Sequence, residues 1–205
     1  MFHHDPIDVL KKRSKIIVAT GLLFAIAAAL VSFAFPLQYR ADAQVFIISQ
    51  SRFGVDPYTV VRSAERIGEN ITQIMKTNDF YQKVTTQSTF GLDTSYFEGV
   101  PEREKRERWN KTIESSVVFG TGVLNISAYH ENPEQAKAYA AASVQALVDR
   151  GWEYIGKEVT IKIINAPVVT KWPARPNIIV NTLLGFMLGI FVMSVNVLRK
   201  KRIFS

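Results

Sequence analysis

Two long apolar segments lie near the ends of the chain, and between them apolar and polar positions alternate at shorter periods. Residues 16–37 form 22 consecutive positions without a charged side chain, and residues 178–198 form 21. A helix needs about 20 apolar residues to cross the hydrocarbon core of a bilayer. The pattern therefore predicts two transmembrane helices, which excludes a plain soluble protein and a multi-span transporter or channel.

The first apolar segment has an alternative interpretation as a cleaved signal peptide. Basic residues precede it, and residues 41–43 read Ala-Asp-Ala, which fits a cleavage site. The apolar region of a signal peptide usually covers about 7–15 residues, and residues 16–37 exceed that length. The length favours a membrane anchor that is retained.

The basic residues that give the chain its net charge of +7 are concentrated outside the two apolar segments. Residues 1–15 carry four basic and two acidic side chains, and residues 199–205 carry four basic ones. Residues 38–177 are nearly balanced, with 17 basic and 16 acidic side chains. The positive-inside rule then predicts two cytoplasmic termini and an extracytoplasmic segment 38–177. Basic clusters in these places favour contact with anionic membrane lipids and argue against nucleic-acid binding.

The segment between the spans is predicted to fold as an α+β domain. Strict alternation predicts strands, apolar spacings of three and four predict helices, and two β-rich runs around Gly120-Thr121-Gly122 predict a hairpin. The predicted order is strand 39–49, helix 57–76, helix 79–86, loop 89–100, helix 101–112, strands 114–119 and 123–129, helix 132–154 and a third central strand 158–164. With both ends returning to the membrane, this order gives an extracytoplasmic α/β domain of the α+β kind, flanked by two transmembrane helices.

Helix 132–154 has several agreeing signals at its start. Asn132 can cap the helix, Pro133 suits the first turn, and Gln135 occupies the position of a capping-box partner. The residues expected to face the core are Ala136, Tyr139, Ala140, Ser143, Leu147 and Tyr154.

Side chains that could carry catalysis or bind a metal are few. The chain has no cysteine, and its histidines are His3, His4 and His130, without a supporting set of ligands. Neither a Gly-x-Ser-x-Gly nor a His-Glu-x-x-His motif occurs. The sequence therefore predicts a protein that is not an enzyme and has no catalytic residue, cofactor or metal, with His130 as a surface residue.

Both predicted spans contain small residues at a spacing of four. These residues are Asn181, Gly185 and Gly189 in the second span, and Gly21, Ala25 and Ala29 in the first. Such stripes let two helices approach closely, and an asparagine can add a hydrogen bond between them, worth about 1 kcal/mol. The stripes therefore predict helix–helix packing in the membrane.

A proline-rich junction, residues 167–177, precedes the second span. Its three prolines bias the backbone toward extended geometry, and Trp172 stands where an interfacial aromatic residue is expected. The junction is predicted to couple the domain stiffly to the second membrane helix.

Together these features resemble the polysaccharide co-polymerases, the Wzz-type chain length determinants. The basic N-terminus before the first span is similar, as is strand 39–49 directly after it. Residues 125–136 resemble the strand and helix start of that family. The most specific similarity is Pro173-Ala-Arg-Pro176-Asn177, which runs into the glycine-bearing span like the proline-rich motif that overlaps the family's second transmembrane helix.

The resemblance implies a homo-oligomer in the bacterial inner membrane. It would act with a Wzy-type polymerase on lipid-linked polysaccharide and set the chain length of O-antigen, capsule or exopolysaccharide. One alternative is a membrane adaptor that activates a separate cytoplasmic tyrosine kinase in capsule synthesis, and another is a two-span receptor. Both alternatives act through cytoplasmic residues, and the predicted cytoplasmic segments 1–15 and 199–205 are short. This comparison favours the chain-length regulator.

Overall fold

The computed structural model describes residues 10–49, 56–156 and 158–203. The chain divides into two compact units, with boundaries between residues 37 and 38 and between residues 174 and 175. We call the first unit, which holds both apolar segments, the helix unit, and residues 38–174 the sheet domain. Both ends of the chain, residues 1–9 and 204–205, lie outside the described residues, as do residues 50–55 and 157.

The helix unit is built from α1 (Ser14–Phe33) and a helix at the other end of the chain, Ile178–Ile203. By length and composition, Ser14–Phe33 and Ile178–Arg199 could each cross a membrane. The first helix ends four residues before the end of the predicted span at residue 37. Pro36 explains the difference, because proline disfavours helical geometry in the residue before it and has no N–H to donate.

The sheet domain contains four strands and several helices. In chain order the elements are β1 (Tyr39–Ser49), α2 (Pro57–Ile74), α3 (Asn78–Thr85), α4 (Glu102–Thr112), β2 (Ile113–Val118), β3 (Val123–His130), α5 (Pro133–Arg150), α6 (Trp152–Ile155) and β4 (Val159–Val169). The second helix of the helix unit, Ile178–Ile203, is therefore α7. Short 3₁₀ turns, Ser88–Phe90 and Ser95–Phe97, occupy the segment predicted as a loop. The α+β class is confirmed.

The sheet has the strand order β2-β3-β1-β4, and every neighbouring pair is antiparallel. Helices connect β1 to β2 and β3 to β4. The first connection crosses over β3 and the second crosses over β1. This is the ferredoxin-like, split βαβ arrangement. The prediction of a third central strand at 158–164 was wrong, because β4 lies at an edge and continues to Val169. Pro167 is tolerated there, since an edge strand can leave one N–H side unpaired.

One face of the sheet forms the core. Along β1 the side chains of Ala41, Ala43, Val45 and Ile47 are buried, while the residues between them are more exposed. Helices α2 and α5 pack on this inner face. The approach of α2 is close, because a Cβ on Gly68 would lie 3.0 Å from Val117 and 3.2 Å from Ile47. A larger residue at this position would push the helix away from the sheet.

Aromatic side chains close the end of the core near α3 and α4. Trp109 is almost fully buried, and its indole Nε1 donates a hydrogen bond to the carbonyl oxygen of Met75 at 2.7 Å. Tyr81 and Phe97 contact the indole in edge-on geometry, at centroid distances of 5.2 and 6.1 Å. The cluster explains how the charged helix α4 is held: its single tryptophan anchors a helix whose other residues are mostly exposed or half-buried.

The start of α5 is only partly as predicted. Asn132 caps the helix, since its side chain accepts a hydrogen bond from the backbone N–H of Glu134 at 2.8 Å. Gln135 is not a capping-box partner, because its amide instead bonds to the backbone of Gly91 and Asp93. The N–H of Asn132 donates to Nδ1 of His130 at 3.0 Å, so the imidazole takes the place of the missing glutamine contact.

The end of α5 also differs from the prediction of one helix to residue 154. The helix ends at Arg150, and the short helix α6 follows after Gly151. Among the residues predicted to face the core, Ala136, Tyr139, Ala140, Ser143 and Leu147 are buried, while Tyr154 is half-buried. The helical spacing therefore identified the buried face but not the break.

Candidate functional site

The two membrane helices contact each other in an antiparallel arrangement. Asn181, near the start of α7, donates a hydrogen bond from Nδ2 to Oγ of Ser32, near the end of α1, at 3.0 Å. Ser32 is 3% exposed, and its hydroxyl donates to the carbonyl oxygen of Ala28 at 2.9 Å. The sequence analysis did not include Ser32 among the helix-packing residues. A lone serine in one apolar span and an asparagine in the other could have predicted a hydrogen bond between the two helices.

Glycines lie where the helices approach most closely. A Cβ on Gly185 would lie 2.6 Å from Cβ of Ala28, and one on Gly189 would lie 2.9 Å from Cα of Gly21. On α1, Gly21 and Ala25 are buried and Ala29 is half-buried. The structure thus places the small residues of both stripes in or beside the contact within one chain. A role in packing between copies of the chain stays a prediction.

Basic side chains lie at the same end of the helix pair. Because α1 and α7 are antiparallel, the start of α1 and the end of α7 are neighbours. Lys11, Lys12, Arg13 and Lys15 before and within the start of α1 are exposed, as is Arg199 near the end of α7. One end of the pair therefore carries positive charge contributed by both segments.

The proline segment first continues alongside β1. The N–H of Thr170 donates to the carbonyl oxygen of Arg40 at 2.7 Å, and the N–H of Ala174 donates to that of Gln38, also at 2.7 Å. Pro173 lies between these two anchored residues and is half-buried. Trp172 beside it is 74% exposed. Of the extended geometry expected for residues 167–177, the part up to Val169 belongs to β4, whereas residues 171 and 172 form a bend before the N–H of Ala174 bonds to Gln38.

The end of the proline segment starts α7. The side-chain Oδ1 of Asn177 accepts a hydrogen bond from the N–H of Val180 at 3.1 Å, and its carbonyl oxygen accepts from Asn181 at 3.0 Å. Asn177 is therefore an N-cap, a preferred residue for that position. The Arg175–Pro176 peptide bond is cis. Asn177 was predicted only as part of a family motif. Its capping role could have been predicted because it stands between Pro176 and the apolar segment 178–198.

A separate cluster of polar side chains, within the sheet domain, joins α3 to α6. The ammonium of Lys83 contacts the carboxylates of Asp79 at 3.1 Å and Glu153 at 2.6 Å, and Tyr154 donates to Asp79. Hydrogen bonds from Tyr154 and then from Lys83 lower the pKa of Asp79 below its ordinary value. Burial raises the pKa of Tyr154. Each polar group has a partner within the cluster, which marks it as a contact that fixes α6.

Candidate metal ligands are sparse in the described part of the chain. Over residues 10–49, 56–156 and 158–203, no group of three or more His, Cys, Asp or Glu side chains could hold a metal ion. His130 is half-buried and stacks on Tyr139 at a centroid distance of 6.0 Å. Its contacts with Tyr139 and Asn132 give it a structural position at the end of β3, where it had been predicted as a surface residue.

Comparison with known proteins gives one family match. Residues 7–88 match the family model described as Wzz, chain length determinant protein. The matched range includes α1, β1, α2 and α3, which together hold the first membrane-capable helix and one of the two central strands of the sheet. No curated protein matches the chain. The matched range covers 82 of the 205 residues and includes the first span and strand β1, so it supports the resemblance to this family.

Proposed function

We propose that this protein, a member of the Wzz-type chain length determinants, regulates the length and export of a bacterial surface polysaccharide without catalysing a reaction itself. The match of residues 7–88 to the family model is the observation that carries the proposal. The two membrane-capable helices that flank a helix and sheet domain support it, because this is the arrangement that the family resemblance implies.

The proposed location is the inner membrane, with both termini in the cytoplasm. The antiparallel helices α1 and α7 place their basic ends together, and basic residues are retained on the cytoplasmic side. In the chain the sheet domain follows the end of α1 and precedes the start of α7, so it would lie outside the cytoplasm. There it would meet lipid-linked polysaccharide, which is the polymer that the proposal requires it to act on.

The proposed partners are further copies of the chain and a Wzy-type polymerase. The small-residue faces of α1 and α7 support close helix contacts, although one such contact already forms within the chain. In this account an assembly of sheet domains holds or guides the growing polymer while the polymerase extends it. The length of the product then depends on how long the polymer stays engaged, and the chain needs no catalytic group.

Deletion and complementation test the function. Removing the gene should broaden or shift the length distribution of the surface polysaccharide on a gel, while total polymer remains present. Re-expression of the full chain should restore the original distribution. An unchanged distribution after deletion would contradict the proposal. If length stayed unchanged and phosphorylation of a cytoplasmic tyrosine kinase fell instead, the adaptor role would replace it.

A further inference from the structure

The outer face of the sheet, opposite the helices, carries a row of polar side chains that crosses all four strands. Ser116 on β2 pairs with Asn125 on β3, Asn125 pairs with Gln44 on β1, and Gln44 pairs with Asn165 on β4. We call these four residues the polar row. Neighbouring strands lie about 4.8 Å apart, so the row presents hydrogen-bonding groups at a regular spacing.

The polar row is held in a fixed arrangement by its own hydrogen bonds. Gln44 donates from Nε2 to Oδ1 of Asn125 at 2.7 Å, and its Oε1 accepts from Nδ2 of Asn165. A side-chain amide has two N–H donors and two acceptor lone pairs, so Gln44 keeps one donor and one acceptor for a ligand. The side chains of the row are therefore held in place while some of their hydrogen-bonding groups stay available to a ligand.

A second polar pair lies beside the row on the same face. The carboxylate of Asp42 accepts from Nε of Arg40 at 2.9 Å and from the hydroxyl of Ser127 at 2.6 Å. These residues and the polar row line one shallow cavity of about 690 Å³, together with Ala43, Ala166 and Val168. All of the lining belongs to the sheet domain. In the described part of that domain, the helices α2 and α5 pack on the opposite face.

We propose that this cavity binds a hydroxyl-rich segment of the polysaccharide chain, which deepens the proposed function and rests on it. A sugar hydroxyl is both a donor and an acceptor, and the amides of the polar row offer both at adjacent positions. The charges of Arg40 and Asp42 are paired, so the lining suits a neutral polymer segment better than a polyanion.

Two other occupants fit the face less well. Single-stranded nucleic acid uses a basic groove and exposed aromatic rings for stacking, whereas Tyr129 on this face is only 8% exposed and Arg40 is paired with Asp42. The centre of an interface between copies is usually depleted of charge and rich in aromatic and apolar groups. The amides and the charged pair that line this cavity are the opposite composition.

Binding of polymer to full-length protein in lipid nanodiscs tests the inference. The probe is the surface polysaccharide of the host strain, released from its lipid by mild acid, and titration calorimetry measures its affinity. Replacing Gln44→Leu together with Asn125→Leu removes the two central amides that bond to each other, and the Asn165 amide that loses its bond to Gln44 is exposed to water. Because about two hydrogen bonds to the ligand are lost, affinity should fall about tenfold.

A matched variant controls for the chemistry of the change. Gln73→Leu with Asn110→Leu replaces two exposed amides on helices α2 and α4, away from the sheet face. Its affinity should stay within about twofold of the native value, since these side chains do not line the cavity. A second test pair, Ser116→Leu with Asn165→Leu, changes only the edge strands. It should also weaken binding, and it keeps the inference testable if the central pair fails to fold.

The outcomes separate the inference from the proposed function. Equal affinity of the native and both test variants would overturn the inference, as would absence of binding by the native protein. A smaller oligomer in the test variants with unchanged polymer affinity would overturn it in favour of a contact between copies. If deletion of the gene shifts polymer length but the test variants bind normally, only the inference fails. If deletion leaves polymer length unchanged, the proposed function fails.

Discussion

Asn181 and Ser32 join the two membrane helices by a side-chain hydrogen bond of 3.0 Å, close to where the chain enters and leaves the sheet domain. A hydrogen bond between membrane helices contributes only about 0.6 to 2 kcal/mol. The position of this hydrogen bond matters more than its energy, because it joins the end of α1 to the start of α7. The antiparallel pairing, and with it the shared basic end, can be tested at this contact.

A cysteine pair should trap the helix contact. The chain has no native cysteine, so Ser32→Cys with Asn181→Cys introduces a single pair at two positions whose side chains are in hydrogen-bond contact. After mild oxidation and proteolysis of the sheet domain, the two membrane fragments should stay joined on a gel until they are reduced. The control pair, Ser32→Cys with Asn196→Cys, should not join, because Asn196 lies near the far end of α7.

The same assay tests the close approach at the glycines. Adding Gly185→Leu to the first cysteine pair should lower the yield of joined fragments, since even a Cβ at that position would lie 2.6 Å from Cβ of Ala28. Ala27→Leu, on the exposed side of α1, should leave the yield unchanged. Equal yields in both variants would show that the glycines do not set the distance between the helices.

Two serines in the sheet domain should respond oppositely to the same substitution. Ser143 is fully buried in α5, and its hydroxyl has no hydrogen-bond partner among the described residues. Ser143→Ala should therefore leave the free energy of unfolding unchanged or raise it by up to about 1 kcal/mol. Ser127→Ala removes a hydrogen bond to the Asp42 carboxylate and should lower it by about 1 to 3 kcal/mol.

Thermal unfolding of the full chain in detergent, followed by tryptophan fluorescence, checks the serine pair. Trp109 is buried in the sheet domain and reports on its core. A loss of stability in Ser143→Ala equal to that in Ser127→Ala would mean that the Ser143 hydroxyl has a favourable partner.

The proline segment should affect polymer length more than membrane abundance. Pro173→Ala with Pro176→Ala frees two backbone angles between the sheet domain and the second membrane helix, while the apolar segment 178–198 is untouched. We expect near-normal protein in the membrane fraction by immunoblot and an altered length distribution on a polysaccharide gel. An unaltered distribution at equal abundance would make the segment a simple tether, and loss of the protein from the membrane would make it a folding element.

The membrane orientation is tested by labelling in intact cells or spheroplasts. Phe119→Cys places a thiol at the exposed tip of the hairpin between β2 and β3, and Lys11→Cys places one among the basic residues before α1. An impermeant thiol reagent should label the first variant and spare the second. The reverse pattern would put the sheet domain in the cytoplasm and contradict the proposed location.

Local patterns in the sequence predicted the elements well, because burial repeats along them. The alternation in residues 39–49 matches β1 at both ends, since each second side chain is buried between the sheet and the helices. The N-cap Asn132 was also found, because a cap depends on only a few neighbouring residues. The order β2-β3-β1-β4 was not predicted, since it depends on which distant strands pair.

Contacts between distant segments account for the remaining errors. Gln135 looked like a local capping partner, yet the backbone at Gly91 and Asp93 takes its amide. The predicted strand stopped at residue 164, yet β4 continues through Pro167 to Val169 because β4 lies at the edge of the sheet. The polar row was missed for a related reason: its members come from four strands and become neighbours only through the strand register.

Reconstitution provides the sharpest test of whether a protein that catalyses nothing controls polymer length. A purified Wzy-type polymerase and its lipid-linked repeat units would be placed in proteoliposomes with or without the full chain, and product lengths would be resolved on a gel over time. We expect that adding the chain narrows the products around a preferred length while the consumption of repeat units changes little. An identical length distribution with and without the chain would contradict this expectation.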